Sequence, residues 1–192
     1  MATLEFYYDV ASPYTYLAAT RVDEIGAQAG VPVVWRPFLL GAVFKATGNA
    51  PPALVRARGM YMLRDLGRWS ANMDVPFNFP SAFPINSLLA QRCLTATPDA
   101  ERPALSLALM RAYWADNQDL SDRAVLQGLV GADRIAAAEA PANKAALRLA
   151  TEEAVQRGAF GSPTFYVGGE MFFGNDRMDF VLDAAMRHAE QA

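Results

Sequence analysis

At the start of the chain the pattern of apolar and polar positions changes from strand-like to helix-like and back. Thr3 to Asp9 is rich in β-branched and aromatic residues and is bounded by Asp9 and the Ser12-Pro13 pair, which predicts a short strand. Tyr16, Leu17, Thr20 and Ile25 then recur at roughly helical spacing, so a helix is expected from Pro13 to about Ala29, with Gly30 as its stop. Val31 to Phe38 reads as a second strand, and a β-α-β start favours a parallel pair. From Leu39 to Arg157 strand signals almost vanish. Helical runs appear instead at 58–73, 86–95, 100–117, 122–130 and 143–157, separated by short Pro, Gly and Asn segments. After Gly161-Ser162-Pro163 the strand pattern returns, with Thr164 to Val167 and Met171 to Phe173 joined by Gly168-Gly169, a pair suited to a tight hairpin turn. A last helix is expected from about Asp176 to Ala189.

Composition narrows what such a chain does. Its 192 residues, 53% of them hydrophobic, suffice for a sizeable core. The formal charge is 17 − 20 = −3 with scattered basic residues, so nucleic acid is not an expected partner. No window approaches the ~18 apolar residues of a membrane span. Met1 to Glu5 shows no cationic region followed by an apolar signal core, so no membrane association is expected and the cytoplasm is the expected compartment. Cys93 stands alone, which excludes an intrachain disulfide, a CxxC redox centre and a multi-cysteine metal site. His188 is the one histidine and reads as a surface residue of the last helix. With no second histidine, no metal site and no serine-histidine triad are expected.

Four segments carry candidate chemistry. Ser12-Pro13 sits where the first strand turns into a helix; Ser is a favoured N-cap and Pro a favoured first helical residue, a pairing that serves many proteins as a cap alone. The same place favours a bound anion such as a thiolate, because a helix start carries partial positive charge and unpaired N–H groups, and the Ser12 hydroxyl adds a donor. Pro163 opens a strand behind Ser162, which suits an ordinary strand start and equally a backbone turned outward to pair with an extended peptide. Asn175 and Asp176 open the last helix, as a cap or as partners for the ammonium and carboxylate of an amino-acid group. Asn49 lies in a loop leading to a helix whose early Arg58 is able to hold a carboxylate. Phe44, Tyr61, Met62, Trp69 and Trp114 are more often core than pocket, with a subset left to line an apolar substrate site.

Together these segments resemble the 2-hydroxychromene-2-carboxylate isomerase family, related to kappa-class glutathione transferases within the DsbA-type thioredoxin superfamily. The resemblance runs over nearly the whole chain. It is carried by DVASPYTYL from Asp9, GNAPP from Gly48, RARGMYMLRDLGRW from Arg56, FNFPSAFPINS from Phe77 and FGSPTFYVGGEMFFGNDRM from Phe160. It implies an α/β, thioredoxin-like fold with an inserted all-helical subdomain: residues 1–38 and 158–192 form a discontinuous thioredoxin-like domain, and 39–157 the insertion. It also implies glutathione as cofactor. Ser12 matches the serine that contacts the glutathione sulfur, and Asn49 and Arg58 match positions that hold the tripeptide, the latter commonly a lysine in kappa relatives. Ser162 precedes the expected cis-Pro163 and pairs through its backbone with the cysteinyl part, while Asn175 and Asp176 match the turn at the γ-glutamyl end. The implied reaction interconverts 2-hydroxychromene-2-carboxylate and trans-o-hydroxybenzylidenepyruvate, intermediates in the breakdown of naphthalene-like aromatics. A small aromatic substrate and a homodimer follow from the same resemblance. Alternatives are a kappa-type transferase or peroxidase and a non-catalytic glutathione-binding protein. A disulfide oxidoreductase is disfavoured, since the helix start holds no cysteine pair.

Overall fold

A computed structural model describes residues 2–191. Its centre is a four-stranded sheet in the order β2-β1-β3-β4, formed by β1 (Leu4–Tyr8), β2 (Val33–Pro37), β3 (Thr164–Val167) and β4 (Glu170–Phe173). The first two strands run parallel and the other pairings are antiparallel, so Phe6 lies opposite Trp35 on one side and Phe165 on the other. These rings meet edge-on (Trp35, 4.9 Å) and stacked (Phe165, 5.2 Å), which makes one sheet face an aromatic floor. Tyr7 and Tyr166 point to the opposite face and pack with Phe38. Gly168 and Gly169 both have positive φ (53° and 92°), as the tight β3–β4 turn requires.

Ten α-helices complete the described residues. Where the apolar spacing predicts one helix up to Gly30, two form: α1 (Pro13–Ala19) and α2 (Val22–Ala29). The Thr20 hydroxyl donates to Leu17 O at 2.7 Å, and this local bond competes with continuing the backbone ladder. Two helices lie where no helical run is predicted, α3 (Leu40–Thr47) and α8 (Ala132–Glu139). The other runs correspond to α4 (Arg56–Met73), α5 (Leu88–Ala96), α6 (Arg102–Trp114), α7 (Arg123–Val130) and α9 (Pro141–Gln156). The last helix, α10 (Met178–Glu190), starts two residues later than expected, after a 3-10 turn over Asn175–Arg177. No helix among the described residues is long and apolar enough to cross a membrane. His188 leans over the β3–β4 turn beside Glu170 (3.7 Å) rather than projecting freely.

What matters for the site is how the ends of β1 and β2 are held. Gln91 of α5 is fully buried; its Nε2 donates to Tyr8 O and Phe38 O, each at 2.8 Å, and its Oε1 accepts from Val10 N–H at 3.3 Å. Trp114 Nε1 donates to Val10 O at 2.8 Å. These bonds satisfy backbone groups that run past the sheet edge, and they fix the loop carrying Asp9 to Ser12 against the helices.

Candidate functional site

A cavity of about 850 Å³ opens where β1 runs into α1. Its lining includes Ser12, Asn49, Arg58, Ser162, Pro163, Asn175 and Asp176, so the polar candidates from the four separate segments come together on one space. The size is that of a small-molecule site.

Ser12 is the N-cap of α1, accepting from Thr15 N–H at 3.3 Å, and its hydroxyl donates to Ser162 O at 2.9 Å. Ser12 is 5% exposed, and its hydroxyl is a cap and a donor at once. The Ser162–Pro163 bond is cis. The Ser162 carbonyl accepts from Ser12 and keeps its second lone pair for a further donor. The Ser162 side chain faces inward: its Oγ accepts from Asp9 N–H at 3.1 Å and shares a 2.6 Å hydrogen bond with Thr15 Oγ1. Pro163 O accepts from Gly174 N–H at 3.1 Å, which docks the Asn175 turn beside this segment.

Neither Asn175 nor Asp176 caps α10; the cap position is Arg177, without a side-chain hydrogen bond. Relieved of that role, Asn175 is 6% exposed and its Nδ2 has no partner among the described residues. A shielded donor without an acceptor is uncommon, since leaving one costs about 1–3 kcal/mol. Asp176 is half exposed and lies 3.3 Å from Arg177. Across the cavity, Asn49 Nδ2 donates to Phe160 O at 2.9 Å while its Oδ1 accepts from Ala50 N–H, so the amide ties its loop to the segment before Ser162 and keeps one N–H for a ligand. Arg58 is exposed in the first turn of α4 and forms no ion pair with the described residues.

The apolar lining takes a large subset of the candidates. Phe44, Tyr61, Met62 and Trp69 all line the cavity, whereas Trp114 alone is fully buried core. Phe160 and Phe173 add a ring pair at 4.6 Å. Gly161 makes that pair possible, because a methyl there would stand 2.5 Å from the Phe173 ring.

Two polar features have no counterpart in the sequence reading. Asp9 is fully buried with its carboxylate accepting from Ala11 N–H (2.9 Å), Leu40 N–H (2.8 Å) and the Ser87 hydroxyl (3.0 Å). Burial still pushes its carboxyl up from the ordinary range, outweighing those donors. It pins the starts of α3 and α5 to the Ser12 loop, so three cavity walls share one anchor. The signal for it was an acidic residue ending an otherwise apolar strand, beside a motif already singled out. Tyr14 donates to Asp65 at 2.9 Å and joins α1 to α4 at the cavity edge; burial, then this bond, raises its hydroxyl above the usual tyrosine range. Cys93 lies outside the cavity, fully buried, its thiol pushed up to about 11 by burial.

A strand–helix junction beside a proline-opened strand is the site layout of a thioredoxin fold. The pattern of the DSBA-like thioredoxin domain matches residues 3–185, and the chain belongs to that family. Within it the chain is 33% identical to 2-hydroxychromene-2-carboxylate isomerase of Sphingobium xenophagum, covering 93% of this chain and 95% of that protein. It is also 31% identical to glutathione S-transferase kappa 1 of Homo sapiens, over 93% and 88% of the two chains. The solved structure of a 2-hydroxychromene-2-carboxylate isomerase superposes with a TM-score of 0.84 at 27% identity, covering 98% of this chain and 97% of that one.

Proposed function

We propose that this protein is a glutathione-dependent isomerase that interconverts 2-hydroxychromene-2-carboxylate and trans-o-hydroxybenzylidenepyruvate, or a closely related aromatic intermediate. Support comes from the isomerases among its relatives and from the cavity's donor set. The observation that carries the reading is Asn175: a buried amide with an orphaned Nδ2 on the wall shared with Ser12 has a physical reason if a ligand carboxylate or carbonyl completes it.

Each charged or polar group of glutathione has a partner of matching chemistry among the cavity residues. Asn175 Nδ2 and the Asp176 carboxylate take the amino-acid end, the Ser162 backbone takes the middle of the peptide, and Arg58 with the spare N–H of Asn49 takes the remaining carboxylate. When bound, glutathione supplies a soft thiol that adds to a conjugated enone and leaves again, so that the bond between rotates as a single bond. The protein's own part is to hold the sulfur's negative charge. With glutathione bound, the second lone pair of Ser162 O would take a peptide N–H, and the Ser12 hydroxyl would be free to turn its proton from that carbonyl toward the sulfur. The exchange costs little because one donor replaces another at Ser162 O while Thr15 N–H keeps Ser12 Oγ in place. Phe44, Trp69, Phe160 and Phe173 enclose the aromatic body and exclude water. Ser12 acts as a donor and not as a nucleophile here, since its hydroxyl proton goes to a backbone carbonyl and no basic side chain among the described residues hydrogen-bonds it.

A kappa-type transferase uses the same thiolate on another electrophile, and the human relative's 31% identity supports that second reading. Turnover of 2-hydroxychromene-2-carboxylate against chlorodinitrobenzene separates the two. Isomerisation that requires glutathione supports the proposal; isomerisation unaffected by its removal, or none at all with it, refutes it.

A further inference from the structure

The molecule has a second cavity, about 660 Å³, between α3, α5 and α9. Its floor is apolar, made by Leu39, Leu88, Leu147 and Val155. Thr151, the polar side chain there, is satisfied: its hydroxyl donates to Leu147 O at 2.7 Å and accepts from Leu39 N–H at 3.0 Å. Nothing on the floor asks for a polar partner.

The rim is different. Arg92, Lys144 and Arg148 stand around it against Glu152, which Arg148 holds at 2.8 Å. Arg92 and Lys144 form no ion pair with any described residue, and the nearby Glu139 has its two oxygens occupied by Arg123 at 2.7 and 3.3 Å. Arg92 Nε is shielded from water with no acceptor, the other orphaned donor beside that of Asn175 among the described residues. An apolar trough with an unneutralised guanidinium and ammonium at its mouth matches one ligand chemistry, a single anionic head on an apolar body.

We infer that this cavity is a ligand site for an amphipathic monocarboxylate, with the acid held by Arg92 and Lys144 and the apolar tail laid along Leu39, Leu88 and Leu147. Its position gives the site a route to the first cavity. Leu39 borders both spaces, and α3, which separates them, runs directly into the loop that carries Asn49. A tail seated against α3 therefore bears on the helix that leads into the Asn49 loop of the first cavity.

The test uses octanoate on the full chain, with octanol (tail without charge) and acetate (charge without tail) as probes. Octanoate is expected to bind with a dissociation constant of about 0.1–1 mM, the range for a ligand of its size, and octanol and acetate at least about tenfold more weakly. Amide shifts in a ¹H–¹⁵N spectrum are expected in α3, α5 and α9. Arg92→Met and, separately, Ala46→Trp, which fills the trough from the exposed side of α3, are each expected to weaken octanoate about tenfold or more while the spectrum stays that of a folded protein. Wild-type affinity in both variants overturns the inference. So does the absence of binding, equal binding of octanol, or shifts confined to residues around Ser12.

Discussion

Replacing Asn175 by alanine separates a ligand-binding residue from a structural one, because the two roles predict opposite effects. Among the described residues Asn175 Nδ2 is shielded and has no partner, a state that costs about 1–3 kcal/mol. Truncation removes that cost together with some packing, so the two changes offset one another. The melting temperature of the free protein should stay within about 4 °C of wild type, since 1 kcal/mol corresponds to roughly 2–4 °C at this chain length. With glutathione the outcome reverses. Loss of a hydrogen bond to a charged carboxylate is worth about 1.5–3 kcal/mol, which is roughly 10- to 100-fold in the dissociation constant. Calorimetric titration with glutathione and thermal melts with and without it measure both quantities on the same sample. A variant that melts well below wild type yet binds glutathione unchanged would refute the assignment and make Asn175 part of the scaffold.

Ser162→Ala should behave the other way, losing about 2 kcal/mol of stability because Asp9 N–H and the Thr15 hydroxyl both lose their buried partner, with glutathione affinity changed less than in the Asn175 variant; urea unfolding and titration check this. Asp9 has a carboxyl raised by burial, so above the ordinary carboxylate range the unfolded chain gives up a proton that the folded chain keeps. Stability should therefore fall with rising pH from that range up to the raised folded value and then level, and the wild-type minus Asp9→Asn difference in unfolding free energy should show this slope; a flat difference contradicts it. Cys93, buried and raised to about 11, should resist iodoacetamide at neutral pH until the protein unfolds, so labelling should track the unfolding curve; rapid labelling of the native protein would reopen the question of whose thiol reacts.

The parts of the fold that were legible in the sequence are those where local chemistry and tertiary packing agree. The β3–β4 hairpin follows from Gly168-Gly169 between apolar runs, and the Ser12-Pro13 start of α1 follows from two residues with matching positional preferences. The break between α1 and α2 was hidden because Thr20 sits in a helical apolar pattern and ends the helix through a hydroxyl bond that spacing does not register. α3 was hidden by the glycine at 41 and the absence of a capping side chain at Leu39; its first N–H groups are satisfied from afar, by Thr151 and Asp9. The same limit applied at the site. Candidates from separate segments converge on one cavity, but the buried carboxylate that joins its walls works through Leu40 and Ser87, contacts set by the fold alone. Trp69 and Trp114 look alike in sequence on their helices, and only the packing places one at the cavity and the other in the core.

In the proposed reaction the Ser12 hydroxyl stabilises the thiolate of bound glutathione. The most direct measurement is the pH titration of that thiolate by its ultraviolet absorbance in the complex, for wild type and for Ser12→Ala. A donor to a charged sulfur worth about 1.5–3 kcal/mol places the wild-type thiol roughly 1–2 pH units below the variant's, with isomerisation at neutral pH slowed in step. The same thiol pKa in both proteins, with unchanged turnover, would rule out that role for Ser12.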